Sequence, residues 1–299
     1  MKCAVSVSLG SSSRNKTILV ELLGEKVSIE RIGTDGSMEK AAQLYKELDG
    51  KVDAFGVGGT DLGLTVGNKY YPLHSVQPMI RYIKQTPVVD GAAMREVLEV
   101  QVAPFLEANL GEYIREKKVM LTAGVDRWYM AVSFAQLGYQ CVFADLMFSL
   151  GIPIPLHTVS QLKRLAAILI PIVGRLPFSW VYPTGEKQEV RIPKWEKYYQ
   201  WANVIAGDCL YIKRHMPDRL EGKVIATNTT TEEDVELFRR AGVKYLVTST
   251  PVLQGRSFGT NMMEAALIAA AGKGRKLTTA ELRQMLDQLG FQPQLRELN

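Results

Sequence analysis

One short stretch has the spacing of a phosphate-and-ribose site. Gly124, Asp126 and Arg127 follow an apolar run, Lys118–Ala123, and Asp145 comes 21 residues after Gly124. Strand, glycine turn, helix, second strand and acid is the layout of a dinucleotide-binding unit, in which the turn takes pyrophosphate and the acid takes ribose hydroxyls. If Gly124 is the first glycine of that pattern, Asp126 and Tyr129 stand at the second and third places. A carboxylate there repels phosphate, and Arg127 beside the helix start offsets it with a guanidinium that can grip an anion. The plain alternative is a βαβ unit in which Asp126 caps the helix.

Other stretches offer chemistry of the same kind. Gly56–Gly63 (GVGGTDLG) follows a strand and leads toward a second hairpin at Gly67-Asn68, so it reads as a tight turn or a phosphate contact, with Asp61 as a cleft-facing acid. Arg256, Ser257 and Thr260 precede a small-residue helix and could hold a substrate carboxylate or phosphate, while Asn261 and Glu264 have capping-box spacing. Lys187, in an inserted loop, and Asp208, at a strand end, are the candidates for moving a proton. Asn228, at another strand end, would line the cofactor path with Gly124 and Arg127. His74, His157 and His215 share no motif, and neither zinc-ligand spacing nor a serine-hydrolase elbow nor a Walker A loop is present, so no metal is expected.

The elements that must position these residues form a train of short apolar strands. Val204–Ala206, Val224–Ala226 and Tyr245–Val247 each run into small polar residues, as Lys118–Ala123 and Gln140–Ala144 do. Continuous apolar strands separated by helices imply a parallel, doubly wound, Rossmann-like sheet with its ligand beyond the carboxyl ends. The first part of the chain reads as mixed α/β: strands at Ala4–Leu9 and Val52–Val57, a hairpin around Gly24, and helices at Glu39–Leu48, after Pro78, and from Ala92 to about Ala108. The expected architecture is therefore α/β with two lobes. An N-terminal lobe spans 1–112, and a Rossmann-like lobe spans 113–299, with an insertion at 152–201 and a C-terminal helical tail. A capping box at Thr278 and Glu281 starts the tail helix. Leu165–Val173 reads as a buried helix, kinked or ended near Pro171.

With 46% hydrophobic and 22% charged residues the composition is that of a globular protein. A net charge of +5 suits a small anionic metabolite, but the basic residues are scattered among acids rather than gathered into a nucleic-acid-binding stripe. No apolar run is long enough to span a membrane. The first residues already read as a strand rather than a signal peptide, and the widely spaced Cys3, Cys141 and Cys209 suggest free thiols in a reducing cytoplasm.

Val5–Gly10 (VSVSLG), Phe55–Leu62 (FGVGGTDL), Gly124–Arg127 (GVDR), Pro177–Gln188 (PFSWVYPTGEKQ) and Gly255–Asn261 (GRSFGTN) resemble bacterial quinate 5-dehydrogenase-like proteins, of the quinate/shikimate dehydrogenase type. The resemblance spans most of the chain. It implies oxidation of a ring hydroxyl on a cyclic polyol acid, with NAD or NADP as cofactor. The residues assign Asp145 to the adenosine ribose, which favours NAD because a carboxylate repels a 2′-phosphate. A non-redox transferase, or a metabolite-binding protein with an anionic ligand in an interlobe cleft, is the alternative.

Overall fold

The computed structural model describes residues 1–176, 191–250, 252–253, 256–257 and 259–299, with backbone alone at 252–253 and 256–257. The chain forms two compact units. The first comprises Met1–Val97, Leu169–Gly185 and Phe258–Phe291; the second comprises Leu98–Ile168, Glu186–Ser257 and Gln292–Asn299.

In the first unit, β1 (Lys2–Ser8) is buried from Ala4 onward, its Ser6 and Ser8 included, and β4 (Ala54–Gly58) is buried along its whole length. β2 (Lys16–Leu22) and β3 (Glu25–Gly33) form the expected antiparallel hairpin, turning at Leu23 and Gly24 with φ of 52° and 84°. With β7 (Val88–Val89) they make a sheet of order β2-β3-β1-β4-β7, in which β3, β1, β4 and β7 run parallel. Helix α1 (Met38–Leu48) is capped by the Ser37 hydroxyl, which accepts from the Lys40 N–H. Its buried Tyr45 donates to the carbonyls of Val7 and Gly56. The hairpin at Gly67 is present as β5 (Gly63–Val66) and β6 (Lys69–Pro72).

The second unit holds the parallel sheet. β8 (Lys118–Leu121), β9 (Gln140–Phe143), β10 (Val204–Ala206), β11 (Val224–Thr227) and β12 (Tyr245–Thr248) lie in the order β9-β8-β10-β11-β12, with β15 (Gln294–Glu297) antiparallel at the β12 edge. Met120, Ile205, Ile225 and Leu246 pack with Ile212, Val235 and Phe238 in its core. α4 (Trp128–Gln136), α8 (Cys209–His215) and α9 (Glu232–Arg240) each follow a strand, giving the doubly wound, Rossmann-like α/β fold that the sequence indicates.

Several expectations need correcting. The helix predicted from Ala92 is two helices, α2 (Ala92–Glu99) and α3 (Val102–Leu110). Pro104 has no N–H to continue a single helix, and the Val100 carbonyl accepts the Ser133 hydroxyl instead. After Pro78 there is only a 3₁₀ turn, Gln77–Ile80. α6 (Val159–Val173) contains Pro171 and is apolar on both sides: Leu162, Ala166 and Ile170 are buried, but Ile168 and Ile172 are 65% and 59% exposed.

The domain division also moves. The expected break near 112 lies at Val97, and α10 (Thr260–Ala271) and α11 (Thr279–Gln288) belong to the first unit. α10 buries Met262–Ala269 and packs on β1, β3 and β4. A helix apolar all round carries no mark of which sheet it covers. Among the described residues no helix is long and apolar enough to cross a membrane.

Candidate functional site

The order β9-β8-β10 makes a topological switch point. The chain leaves β8 toward β9 on one side and later returns to β10 on the other; in α/β sheets the ligand crevice ordinarily lies beyond the carboxyl ends of two such strands. Thr122–Arg127 follows β8, and Gly207-Asp208 follows β10. The two turns meet closely: Gly207 has φ of 137°, and a Cβ on it would lie 2.2 Å from Thr122 Oγ1. That hydroxyl is buried and makes no hydrogen bond.

Arg127, at the start of α4, is the centre of a buried polar cluster at these strand ends. Its Nη1 donates to Glu99 Oε1 at 2.8 Å and its Nη2 to Asp208 Oδ2 at 2.7 Å, while Nε lies 3.1 Å from Asp126 Oδ2. Burial opposes its charge, yet Asp126, Glu99 and Asp208 together hold it well above the usual arginine range. Asp208 Oδ2 also accepts from Asn228 Nδ2 at 2.8 Å, and Oδ1 caps α8 by accepting from the Leu210 N–H. Asn228 Oδ1 accepts from the Cys209 N–H and the Thr227 hydroxyl. Tyr211 is held firmly neutral by burial, with Asp126 and Asp208 adding to the effect. Arg127, Asp208 and Asn228 are thus brought together by hydrogen bonds at the strand ends. The role given to Arg127 is corrected: three carboxylates take its guanidinium, so it does not stand ready for an anion.

Gly124 and Asp145 also meet, but in a different relation from the one expected. Asp145 Oδ2 accepts from the Gly124 N–H at 2.9 Å and Oδ1 from the Val125 N–H at 2.8 Å. The carboxyl is 6% exposed, and burial pushes it up to about 6 against the pull of those two donors. Asp145 is therefore the internal partner of the glycine turn, not a free acid for a ribose. Gly124 is glycine for packing: a Cβ would lie 2.9 Å from Leu162 Cδ2 and 3.0 Å from Phe143 Cδ1. Asp126 is not the helix cap; Arg127 holds that position without a side-chain cap bond.

In the first unit Asp61 is paired with Arg95 at 2.6 Å, so it is not an open acid. Asp90 accepts from the Leu62 and Ala92 amides, and the buried Glu264 accepts from the Met94 N–H at 3.2 Å. The Asn261–Glu264 capping box is not formed. Gly259 is the cap, and Asn261 Nδ2 donates to Ser6 Oγ at 2.7 Å. Gly59 takes φ of 77°, so the Gly56–Gly63 loop is a turn that requires glycine. Thr260 opens α10 against Gly91, where a Cβ would lie 2.5 Å from Thr260 Oγ1. Arg256 and Ser257 form strand β14, paired with β13 (Val252–Leu253); their side chains, and Lys187 with its loop, lie outside the described residues.

The polar cluster of the second unit is rich in acceptors, with three carboxylates around one guanidinium. That excess of negative charge disfavours phosphate. A pyrophosphate does not fit the Gly124 turn, whose two amides are engaged. Sequence reasoning missed Glu99, Tyr211 and the Thr122–Gly207 contact. A lone acid among the apolar residues Val97, Leu98, Val100 and Val102 was the available signal for Glu99. Among the described residues no group of three or more His, Cys, Asp or Glu side chains is disposed to hold a metal.

No protein of curated function matches the sequence. Among solved structures, an NAD-dependent malic enzyme from Thermotoga maritima aligns with 95% of this chain and 83% of its own, at 13% identity and a TM-score of 0.37. A putative malic enzyme (malate oxidoreductase) aligns with 90% and 72%, at 17% identity and 0.37. A Mycobacterium smegmatis protein in complex with β-D-fucofuranose aligns with 97% and 96%, at 11% identity and 0.33. Residues 3–90 match a domain of unknown function, DUF8753. Residues 93–298, more than half of the chain, match a second domain of unknown function, DUF8754, and the chain therefore belongs to the DUF8754 family.

Proposed function

We propose that the chain is an NAD(P)-dependent oxidoreductase acting on a hydroxylated carboxylic acid of the quinate/shikimate type. Asp208 is the group that takes the substrate's hydroxyl proton. The observation that carries this reading is the place of Asp208 at the switch point, fixed by Arg127, Asn228 and the Leu210 amide. An ionised carboxylate has about four acceptor sites; these three bonds leave one on Oδ1 for a ligand hydroxyl. Because the Gly124 turn does not fit a pyrophosphate, the cofactor on this reading is held elsewhere. Arg256, which belongs to the same unit as Asp208, is the candidate for the substrate carboxylate.

The test is a nicotinamide assay with quinate, shikimate and simpler hydroxy acids, together with thermal shifts with NAD and NADP. A ligand at a hundredfold excess over its dissociation constant adds about 2.7 kcal/mol of apparent stability. Asp208→Asn should lower turnover by roughly a hundredfold or more while leaving ring-acid binding in place. Absence of both nicotinamide binding and turnover across the panel would sink the reading. A second reading is favoured by the filled Gly124 turn: a protein that binds a hydroxylated anionic metabolite without turnover. It predicts a thermal shift with the ring acid alone and none with either nucleotide.

A further inference from the structure

The turn after the first strand of a doubly wound unit is where a nucleotide's phosphate is ordinarily received, on backbone N–H groups. In this protein that turn already holds an oxyanion, and the chain supplies it. Both oxygens of Asp145 are used, one on Gly124 N–H and one on Val125 N–H, at 2.9 Å and 2.8 Å. The fit is part of the fold. β9 runs parallel beside β8, with Phe143 in register with Leu121, and so delivers Asp145 to the side of the turn. The missing side chain of Gly124 lets the carboxylate close on it: a Cβ there would lie 3.3 Å from Asp145 Oδ2.

A group fixed in place by its own backbone meets its partner as a unimolecular event, an advantage that a free anion at metabolite concentrations does not match. The charges alongside work in the same direction, because Asp126 follows the turn and Glu99 and Asp208 occupy the nearby guanidinium.

We propose that Asp145 is a specificity-determining residue that fills the oxyanion cradle of the second unit, shutting phosphate out of the turn and leaving the crevice to a hydroxyl-bearing group. This holds whether or not the protein uses a nicotinamide cofactor, and the experiment contains none. Inorganic phosphate and formate are titrated into the wild-type chain, Asp145→Ala and Asp145→Asn, against chloride at matched ionic strength. Melting temperature and hydrogen exchange of the Gly124–Val125 segment are followed.

The wild type, whose cradle is filled, should show no saturable response; nor should Asp145→Asn, whose amide still occupies the space although its NH2 leaves one of the two N–H groups without an acceptor. Asp145→Ala should show a saturable rise in melting temperature with either anion at millimolar concentration, with protection of the segment. If Asp145→Ala is unfolded in chloride, recovery of its circular dichroism signal in formate or phosphate is the expected result. A folded Asp145→Ala that ignores both anions would overturn the proposal. So would an unfolded one that neither anion rescues, or a wild-type protein in which phosphate protects the segment.

Discussion

Glu264 shows most clearly what folding does to a single ionisable group. It lies 4% exposed in a helix packed on a sheet, with the Met94 N–H as its hydrogen-bond donor. Burial pushes its carboxyl up to about 7 from an ordinary 4.5, and the nearby Asp90 adds to the effect. Between those two values the folded chain holds a proton that the unfolded chain has released, so stability falls as pH rises through the window. Below the window no penalty exists, and above it the penalty is complete. Glu264→Gln can still accept from Met94 and has no charge to bury. It should therefore be close to neutral at pH 4 and more stable than the wild type at pH 8, on the order of 3 kcal/mol, in urea melts at the two pH values. Equal effects at both would show that the charge is not the cause. None of this was legible beforehand: Asn261 and Glu264 have cap spacing, and spacing alone does not reveal that Asn261 turns to Ser6 and Glu264 to another helix. The same limit applied to Arg127, since its type was readable as an ion-pairing group but Glu99 lies 28 residues away.

At the scale of elements, strands and hairpins were well read because their signals are local. β8, β10 and β11 are almost wholly buried and so lack alternation, and Gly24 and Gly67 mark their turns by needing positive φ. Where one element meets another, the sequence was silent. The ends of β8 and β10 are joined by the contact of Thr122 with Gly207, a residue at φ of 137° with 2.2 Å between its would-be Cβ and Thr122 Oγ1. Gly207→Ala should destabilise the protein by about 2–4 kcal/mol, combining backbone strain with overpacking. Thr122→Ala removes the hydroxyl in the way, so the double variant should recover part of that loss in a double-mutant cycle. Strict additivity would mean that the clash is relieved by movement elsewhere. The break between α2 and α3 belongs here too. The helix expected from Ala92 to about Ala108 took no account of Pro104, whose missing N–H cannot continue a single helix.

For the whole molecule, the division into units could not be read from a linear pattern, because each unit is assembled from stretches far apart in the chain. The α10 helix that covers β1, β3 and β4 arrives more than 160 residues after the end of the first stretch at Val97. A fragment ending at Gly111, which looks like a clean domain in the sequence, therefore lacks the buried face Met262–Ala269. It should fail to unfold cooperatively, whereas adding residues 258–291 as a separate peptide should restore a sigmoidal melt. A cooperative transition in the fragment alone would show that its sheet is stable without α10. The late return of α10 also has a consequence during synthesis. At 5–20 residues per second the ribosome needs roughly 8–35 s to travel from the first stretch to α10. For that interval the nascent first sheet has an apolar face that α10 has not yet covered, so completion of the first unit waits on translation of residues 258–291.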